Sequence, residues 1–418
     1  MTVLPTPGQL AWQRAEMGLF VHFGLNTVHG KEWSNGTLPA ASFEPTDLDA
    51  RAWARTAVEL GARYIVLTAK HHDGFCLWQT ETTDYSVAAS AWKDGHGDVV
   101  AEVADACREA GIGFGIYLSP WDRNAECYSD ERAYSEFYAR QLTELCTRYG
   151  ALTEIWFDGA GSDGYTYDWE RIAGVITEHQ PDAMVFNMGR PTIRWVGNEN
   201  GLASDPVEYV VSQTQLSNYT AETLDVREEL YMPPECNVSL RRGWFWHPDD
   251  EAKTVDHLTA IYYASIGMGA NLLLNVPPTP QGVFDPADVQ RLHDWRAELD
   301  ARFAHPIPAR VERVADGWVA RFPAPVRIDH VRIREELRDG QRVTRHAVRI
   351  AGETVAEALT IGQGRLHAFP ATSTEEIHIT TEGDGALVTE VIGYRTGHES
   401  IPQPPAGYVA PTTAPLDE

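Results

Sequence analysis

The stretch Leu152–Gly159, LTEIWFDG, decides how the chain is read. An apolar, β-branched and aromatic run closes on Asp158, and Gly159-Ala160-Gly161 then turns the chain away. This predicts a buried strand that delivers a carboxylate to its C-terminal end, the place where α/β enzymes put catalysis. A strand-end Asp can equally cap the element that follows. The rest of the chain has to decide between the two.

Upstream, strand-like and helical runs alternate. Gly18–Gly24, Tyr64–Lys70 and Gly113–Ser119 read as strands, as does Met184–Met188 beyond the central stretch. Helical spacing is found over Asp47–Leu60, Asp98–Ala110, Ser129–Tyr149 and Trp169–His179. This βα recurrence predicts a parallel sheet closed as a barrel. Residues 190–250 are rich in turn formers and aromatics and read as long loops over the barrel mouth. Lys253–Met268 is helical, Asn271–Val276 (NLLLNV) is a last strand, and a helix near Pro286–Phe303 ends this part. From Ile307 the pattern changes to short alternating runs, Gly317–Phe322, Ile328–Ile333, Arg342–Ile350, Arg365–Phe369, Glu376–Thr380 and Val388–Tyr394, which read as a small β-sandwich. The expected organisation is α/β: a (β/α)8-like barrel over 1–304, a β-sandwich over 305–400 and a Pro-rich tail over 401–418, extended or disordered at its end.

A net charge of −26 argues against nucleic acid, polyanions and acidic lipid surfaces, because binding them depends on Lys and Arg neutralising phosphates. Thirteen Trp and sixteen Tyr supply a core and also suit stacking on sugar faces. The opening MTVLPTPGQLAWQRAE lacks the basic and apolar regions of a secretory signal, and no window approaches a membrane span, so a cytoplasmic protein is expected. Five scattered cysteines without a C-x-x-C pair predict reduced thiols.

Polar groups stand at corresponding strand ends: His22 closes the first, Lys70-His71-His72-Asp73 the second, and Tyr117 lies near the end of the third. A barrel converges such ends on one pocket, so His22, His71, His72, Tyr117 and Asp158 are expected to be neighbours. Adjacent His71 and His72 point to opposite faces of a strand unless a bulge or the strand end re-aims one. The histidines also admit a reading as metal ligands, although no H-x-H or H-x-x-x-H spacing accompanies them. A second acid is Glu199, between Gly197 and Gly201 in the loop-rich region. Paired with Asp158 it supplies the two carboxylates of glycoside hydrolysis; alone it is a surface Glu.

In order, VHFGLNT with Glu32-Trp33, LTAKHHDGFCLW, the GDVV of Gly97–Val100, GIYLSPWD, EIWFDGA, RWVGNE, SLRRGWFWH and NLLLNVPP resemble the α-L-fucosidases of glycoside hydrolase family 29, more narrowly the branch acting on α-1,3/1,4-linked fucose. The likeness covers nearly all of the first 300 residues. It implies a retaining exo-glycosidase without cofactor or metal, acting on terminal fucose of Lewis-type oligosaccharides, with Asp158 as nucleophile and Glu199 as acid/base. It implies that His22, Glu32, Trp33, His71 and His72 hold the fucose hydroxyls and that Tyr117 and Trp156 line the pocket. Arg241 matches the Arg of the branch's pocket segment, but Arg242 stands where the family often has Pro, which leaves Arg241 and Arg242 as alternatives. Trp244 and Trp246 are candidates for bounding the apolar C6 methyl, or for core. Three other readings remain: an α-1,2 or α-1,6 linkage, a non-catalytic sugar-binding protein on the same scaffold, and a metal-dependent sugar isomerase or hydrolase using His22, His71, His72 and Asp158. Neither nucleic acid nor membrane is expected as a partner, and the sequence leaves the oligomeric state open.

Overall fold

The computed structural model describes residues 3–215, 223–408 and 410, with backbone only for 223–227. Eight strands form the parallel sheet of a barrel: β1 Met17–Val21, β2 Tyr64–Lys70, β3 Gly113–Leu118, β4 Glu154–Trp156, β5 Met184–Phe186, β6 Arg194–Trp195, β9 Pro234–Ser239 and β10 Asn271–Asn275, in the order β5-β4-β3-β2-β1-β10-β9-β6. A single parallel bridge, Phe186 to Ile193, joins the two ends. Between β6 and β9 lies an antiparallel hairpin of β7 Val210–Gln215 and β8 Thr223–Tyr231.

The region read as loops, 190–250, thus holds two barrel strands and a hairpin. β6 has two residues, too few for a periodic signal. β9 reads PECNVS, with Pro, Glu and Asn in a wholly buried strand, so its polar residues disguise it. The Trp156 indole and the Tyr64 hydroxyl donate to Glu235 (3.0 and 3.3 Å), and the Trp12 indole donates to Glu154 (3.0 Å). Paired this way, the two acids are tolerated inside the barrel.

The helices start and stop where their sequence says. Asp49, Asp98, Asp130, Asp168 and Asp285 cap α3 (Ala50–Leu60), α4 (Val99–Ala110), α5 (Glu131–Arg148), α6 (Trp169–His179) and α8 (Pro286–Phe303), each side chain accepting from a first-turn N–H. α7, Val255–Ala264, starts from Thr254. Two further helices lie outside the sequence expectations: α1 Pro7–Ala15, whose Trp12 closes the barrel floor, and the short α2 Leu25–His29. The strand faces turned toward the helices form the main core, and Phe20, Tyr64, Tyr117, Trp156, Phe186 and Trp195 fill the inside.

The sandwich has its own core, around Trp318, Ile328, Val331, Val348, Ile377 and Val391. Its strands are β11 Ile307–Pro308, β12 Arg310–Val314, β13 Gly317–Glu335, β14 Arg345–Ile350, β15 Glu353–Ala358, β16 Arg365–Glu382 and β17 Val388–Tyr394. Pairs of runs expected as separate strands are continuous: β13 and β16 pass through register shifts near Arg321/Val326 and Ile328/His330 and bend from one layer to the next. The sandwich docks through Arg332 and Arg334 on Glu16, Arg365 on Asp205, and the Tyr209 hydroxyl, which donates to Gly269 O and accepts from Gln363 N–H.

Candidate active site

Asp158 follows β4 and is about a quarter exposed (24%). Its two oxygens are held separately: Oδ1 accepts the Ala160 N–H (2.9 Å) and Oδ2 the Tyr117 hydroxyl (2.9 Å). Tyr117 is itself fixed, stacked on Trp156 (5.4 Å, 23°) and lying parallel to His71 (5.6 Å, 14°). Trp156 packs behind it among Phe20 and Phe186.

A register shift between Thr68 and Lys70 breaks the strict alternation at the end of β2. Lys70 is turned into the helix layer, where Asp122 (2.9 Å), Gln141 (2.9 Å) and the Tyr134 hydroxyl (3.3 Å) take its ammonium group. Both following histidines then reach the same mouth, their rings 4.1 Å apart. His71 faces His22 (5.7 Å), and His72 lies against Trp33 (4.9 Å) and Trp121 (5.2 Å) with Nε2 3.6 Å from Asp158 Oδ2.

The surroundings assign each ring's proton. The Asn275 amide donates to Ser239 Oγ and Trp244 O, so its oxygen accepts from His22 Nδ1–H (2.9 Å), and Nε2 is an acceptor. The Ser119 hydroxyl donates to Trp121 O (2.6 Å), so it accepts from His72 Nδ1–H (2.7 Å), and again Nε2 is an acceptor. Asn26 Nδ2 approaches His71 Nδ1 at 3.4 Å, which leaves Nε2–H of His71 as a donor. Burial keeps all three rings neutral: it lowers His22 to about 3, His72 to about 4 despite Asp158, and His71 well below its ordinary value. Among the described residues, no three His, Cys, Asp or Glu side chains are grouped so as to hold a metal ion.

Glu32, after α2, receives two backbone N–H groups from the loop beyond β9: Trp244 N–H to Oε2 (2.9 Å) and Phe245 N–H to Oε1 (3.2 Å). Gly243 makes this approach possible, since a Cβ there would meet Glu32 Oε1 at 2.1 Å. Burial raises the Glu32 carboxyl to about 7, against the pull of those two bonds. The Trp244 ring lies 5.1 Å from His22, and its indole N–H points at Glu199 Oε2 at 3.4 Å. Trp244 therefore links the second acid to the strand-end cluster. Gly197 (φ +94°) and Gly201 (φ +74°) do carry the unusual angles expected on either side of Glu199.

Arg241 is not brought to the pocket. Its guanidinium is buried and taken by Asp288 (2.7 Å), Asp285 (3.0 Å), and the carbonyls of His247 (3.3 Å) and Asp250. It ties the β9 loop to α8, so its guanidinium is committed to protein partners. Neighbouring Arg242 is exposed. Trp246 belongs to the same tie, its indole donating to Asp285 (3.1 Å).

Sequence reasoning missed Asn275, Asn26, Ser119 and Trp121. The signal was present for Asn275, a polar residue closing a strand after the apolar run Leu272–Leu274, as His22 and Asp158 follow theirs. Ser119 and Trp121 act through hydrogen bonds that only their juxtaposition with His72 reveals.

The alpha-L-fucosidase family pattern matches residues 37–297. Alpha-L-fucosidase 1 of Arabidopsis thaliana is 42% identical over 311 residues, 72% of this chain, which spans 61% of that protein's length. Among solved structures, a glycoside hydrolase 29 family member from an unknown rumen bacterium superposes with a TM-score of 0.84 at 33% identity, over 96% of this chain and 78% of that one. A Ruminococcus gnavus fucosidase mutant of the same family, solved in complex with fucose, does so with a TM-score of 0.82 at 28% identity, over 96% of each chain. A strand-end carboxylate beside a cluster of neutral histidines, on a barrel that carries this family's pattern through most of its length, leads to one conclusion: the chain belongs to the alpha-L-fucosidase family of glycoside hydrolases.

Proposed function

We propose that this chain is a retaining exo-α-L-fucosidase that removes terminal α-1,3/1,4-linked L-fucose, with Asp158 as nucleophile and Glu199 as acid/base. The observation that carries the reading is the Asp158 carboxylate, oriented through both oxygens at the end of a barrel strand, with His72 of a neutral histidine cluster beside it. Two of those histidines offer acceptors and the third a donor. Such a set can satisfy several sugar hydroxyls individually, which is how a specific site rejects ligands lacking them.

In the first step an Asp158 oxygen attacks C1 as the glycosidic C–O bond breaks. Glu199, entering as the carboxylic acid, gives its proton to the leaving oxygen. The product is a fucosyl ester of Asp158 with inverted configuration at C1. In the second step Glu199, now a carboxylate, takes a proton from water while the water oxygen attacks C1, and the ester bond breaks to return Asp158 as the anion. Two inversions give retention, a route that calls for carboxyl groups about 5–5.5 Å apart in the productive complex. Glu32 would hold a sugar hydroxyl from one side of the pocket and Trp33 would wall it near His72. The segment 190–250, which carries Glu199 and leads into Trp244, would meet the sugar beyond fucose.

Proton NMR of the first-released fucose tests the mechanism. The α anomer is expected to appear first and mutarotate later, whereas initial β-fucose would overturn double displacement. Comparing kcat/KM for fucose linked α-1,3, α-1,4, α-1,2 and α-1,6 tests the linkage, and faster release from the last two would overturn that part alone.

A further inference from the structure

The segment after the sandwich returns to the barrel. Beyond β17, Asp329 accepts the N–H groups of Thr396 and Gly397 (both 2.8 Å), and the chain IPQPPAGY then crosses to the barrel mouth. A turn closes with Tyr408 N–H on Pro405 O (3.0 Å). The Tyr408 ring is half-buried, edge-on to His257 of α7 (4.5 Å, 79°) and 5.4 Å from the Lys253 ammonium group. That ammonium group also donates to Ser239 O (2.6 Å) and Arg241 O (2.9 Å) at the end of β9. Two residues later Ala410 N–H donates to Asn200 Oδ1 (2.6 Å).

Asn200 is the neighbour of Glu199. Within the loop, Asn198 Oδ1 accepts from Asn200 N–H (3.1 Å), and Asn198 Nδ2 donates to Leu202 O (2.8 Å). The bond from Ala410 ties it to a separate part of the chain. Most of the returning segment is exposed at Gln403, Pro405, Ala406 and Gly407, so it adds little to the core. Three prolines, 402, 404 and 405, restrict it to an extended form, which lowers the entropy lost in holding its end in place.

We propose that Pro402–Tyr408 and Ala410 are a strap that positions the Glu199 loop, making the C-terminal segment part of the general-acid apparatus without touching substrate. This rests on Glu199 being the acid/base. Tyr408 is the anchor and Asn200 the point of attachment; both are positioning residues. A loosened loop delays proton donation, which matters for a sugar leaving group and hardly at all for an aryl group that departs without a proton.

In the full chain, Tyr408→Ala and Asn200→Ala are each expected to lower kcat/KM on a Lewis-type trisaccharide by about 10-fold or more, with 2,4-dinitrophenyl fucoside changed by less than about 2-fold. Tyr408→Phe, which keeps the ring on His257, is expected to behave as wild type. Equal losses on both substrates, or no loss on the trisaccharide, would overturn the strap. Glu199→Ala measured beside them separates the two ideas. If it too loses no more on the trisaccharide than on the aryl fucoside, the acid/base assignment has failed; if it shows the steep difference and the strap variants do not, only the strap has.

Discussion

Asp158 and Glu199 are held by opposite means. Asp158 follows a strand buried on both faces, and each of its oxygens receives a donor fixed by the barrel. Glu199 sits on a glycine-flanked loop, reached by the Trp244 indole at 3.4 Å, with a neighbour tied to the C-terminal segment. The difference matches the two tasks proposed for them. A nucleophile must stand at a set distance from C1, so rigidity serves it. An acid/base follows a proton that moves between a leaving sugar and a water, and a loop beside the aglycone can adapt to both.

Removing the rigid member should cost most. Asp158→Ala is expected to lower kcat on every fucoside by about 10⁴-fold or more, with azide restoring turnover of an aryl fucoside as the β-fucosyl azide. Azide rescue yielding the α-azide would mean that Asp158 is not the attacking group. Glu199→Ala should cost about 10²–10⁴-fold on the trisaccharide and far less on the aryl substrate. A uniform loss would erase the contrast drawn between the two acids.

Glu32 tests the wall they share. With its carboxyl raised from 4.5 to about 7 by burial, the folded chain keeps a proton that the unfolded chain releases between those values. Stability from this group is therefore greatest at the acid end of that window and falls as pH rises through it, by up to about 3 kcal/mol. Urea unfolding at pH 5 and pH 8 should show Glu32→Gln with a flatter dependence than wild type; an unchanged slope would place that titration elsewhere. Inhibition by fucose is expected to lose its pH dependence near 7 in the same variant.

The smallest effect on turnover is expected from Arg241→Ala. Losing the cation leaves Asp288 buried without its partner, which should cost about 3–5 kcal/mol of stability by chemical denaturation. KM for a fucoside should stay within about 2-fold of wild type in the folded fraction, because truncating a side chain that touches no substrate removes no binding term. A large rise in KM at unchanged stability would return Arg241 to the pocket.

Much of the barrel was legible because β1, β2 and β3 are apolar runs and five of its helices begin at Asp caps, α3 and α4 also stopping at Gly61 and Gly111, signals that act over a few residues. β6 and β9 escaped for a local reason too: one is two residues long, and the other carries Glu235 and Asn237 into the core, which is affordable only because Trp156, Tyr64 and Trp195 reach them from other strands. The place of Arg241 was not legible, because an arginine beside a tryptophan-rich segment looks the same in sequence whatever it meets, and its partners Asp285 and Asp288 lie more than forty residues away.

From the sequence alone came the barrel followed by a sandwich and the placing of Asp158, His22 and Tyr117 at or near strand ends, since periodicity, caps and strand-end polarity are properties of neighbouring residues. The tertiary structure alone decided which histidine nitrogens carry protons, that His71 and His72 share one mouth, that Glu32 reaches the loop beyond β9, and that the tail reaches Asn200. Each of these is a hydrogen bond or packing contact between residues far apart in the chain. Its geometry exists only once the strands have closed.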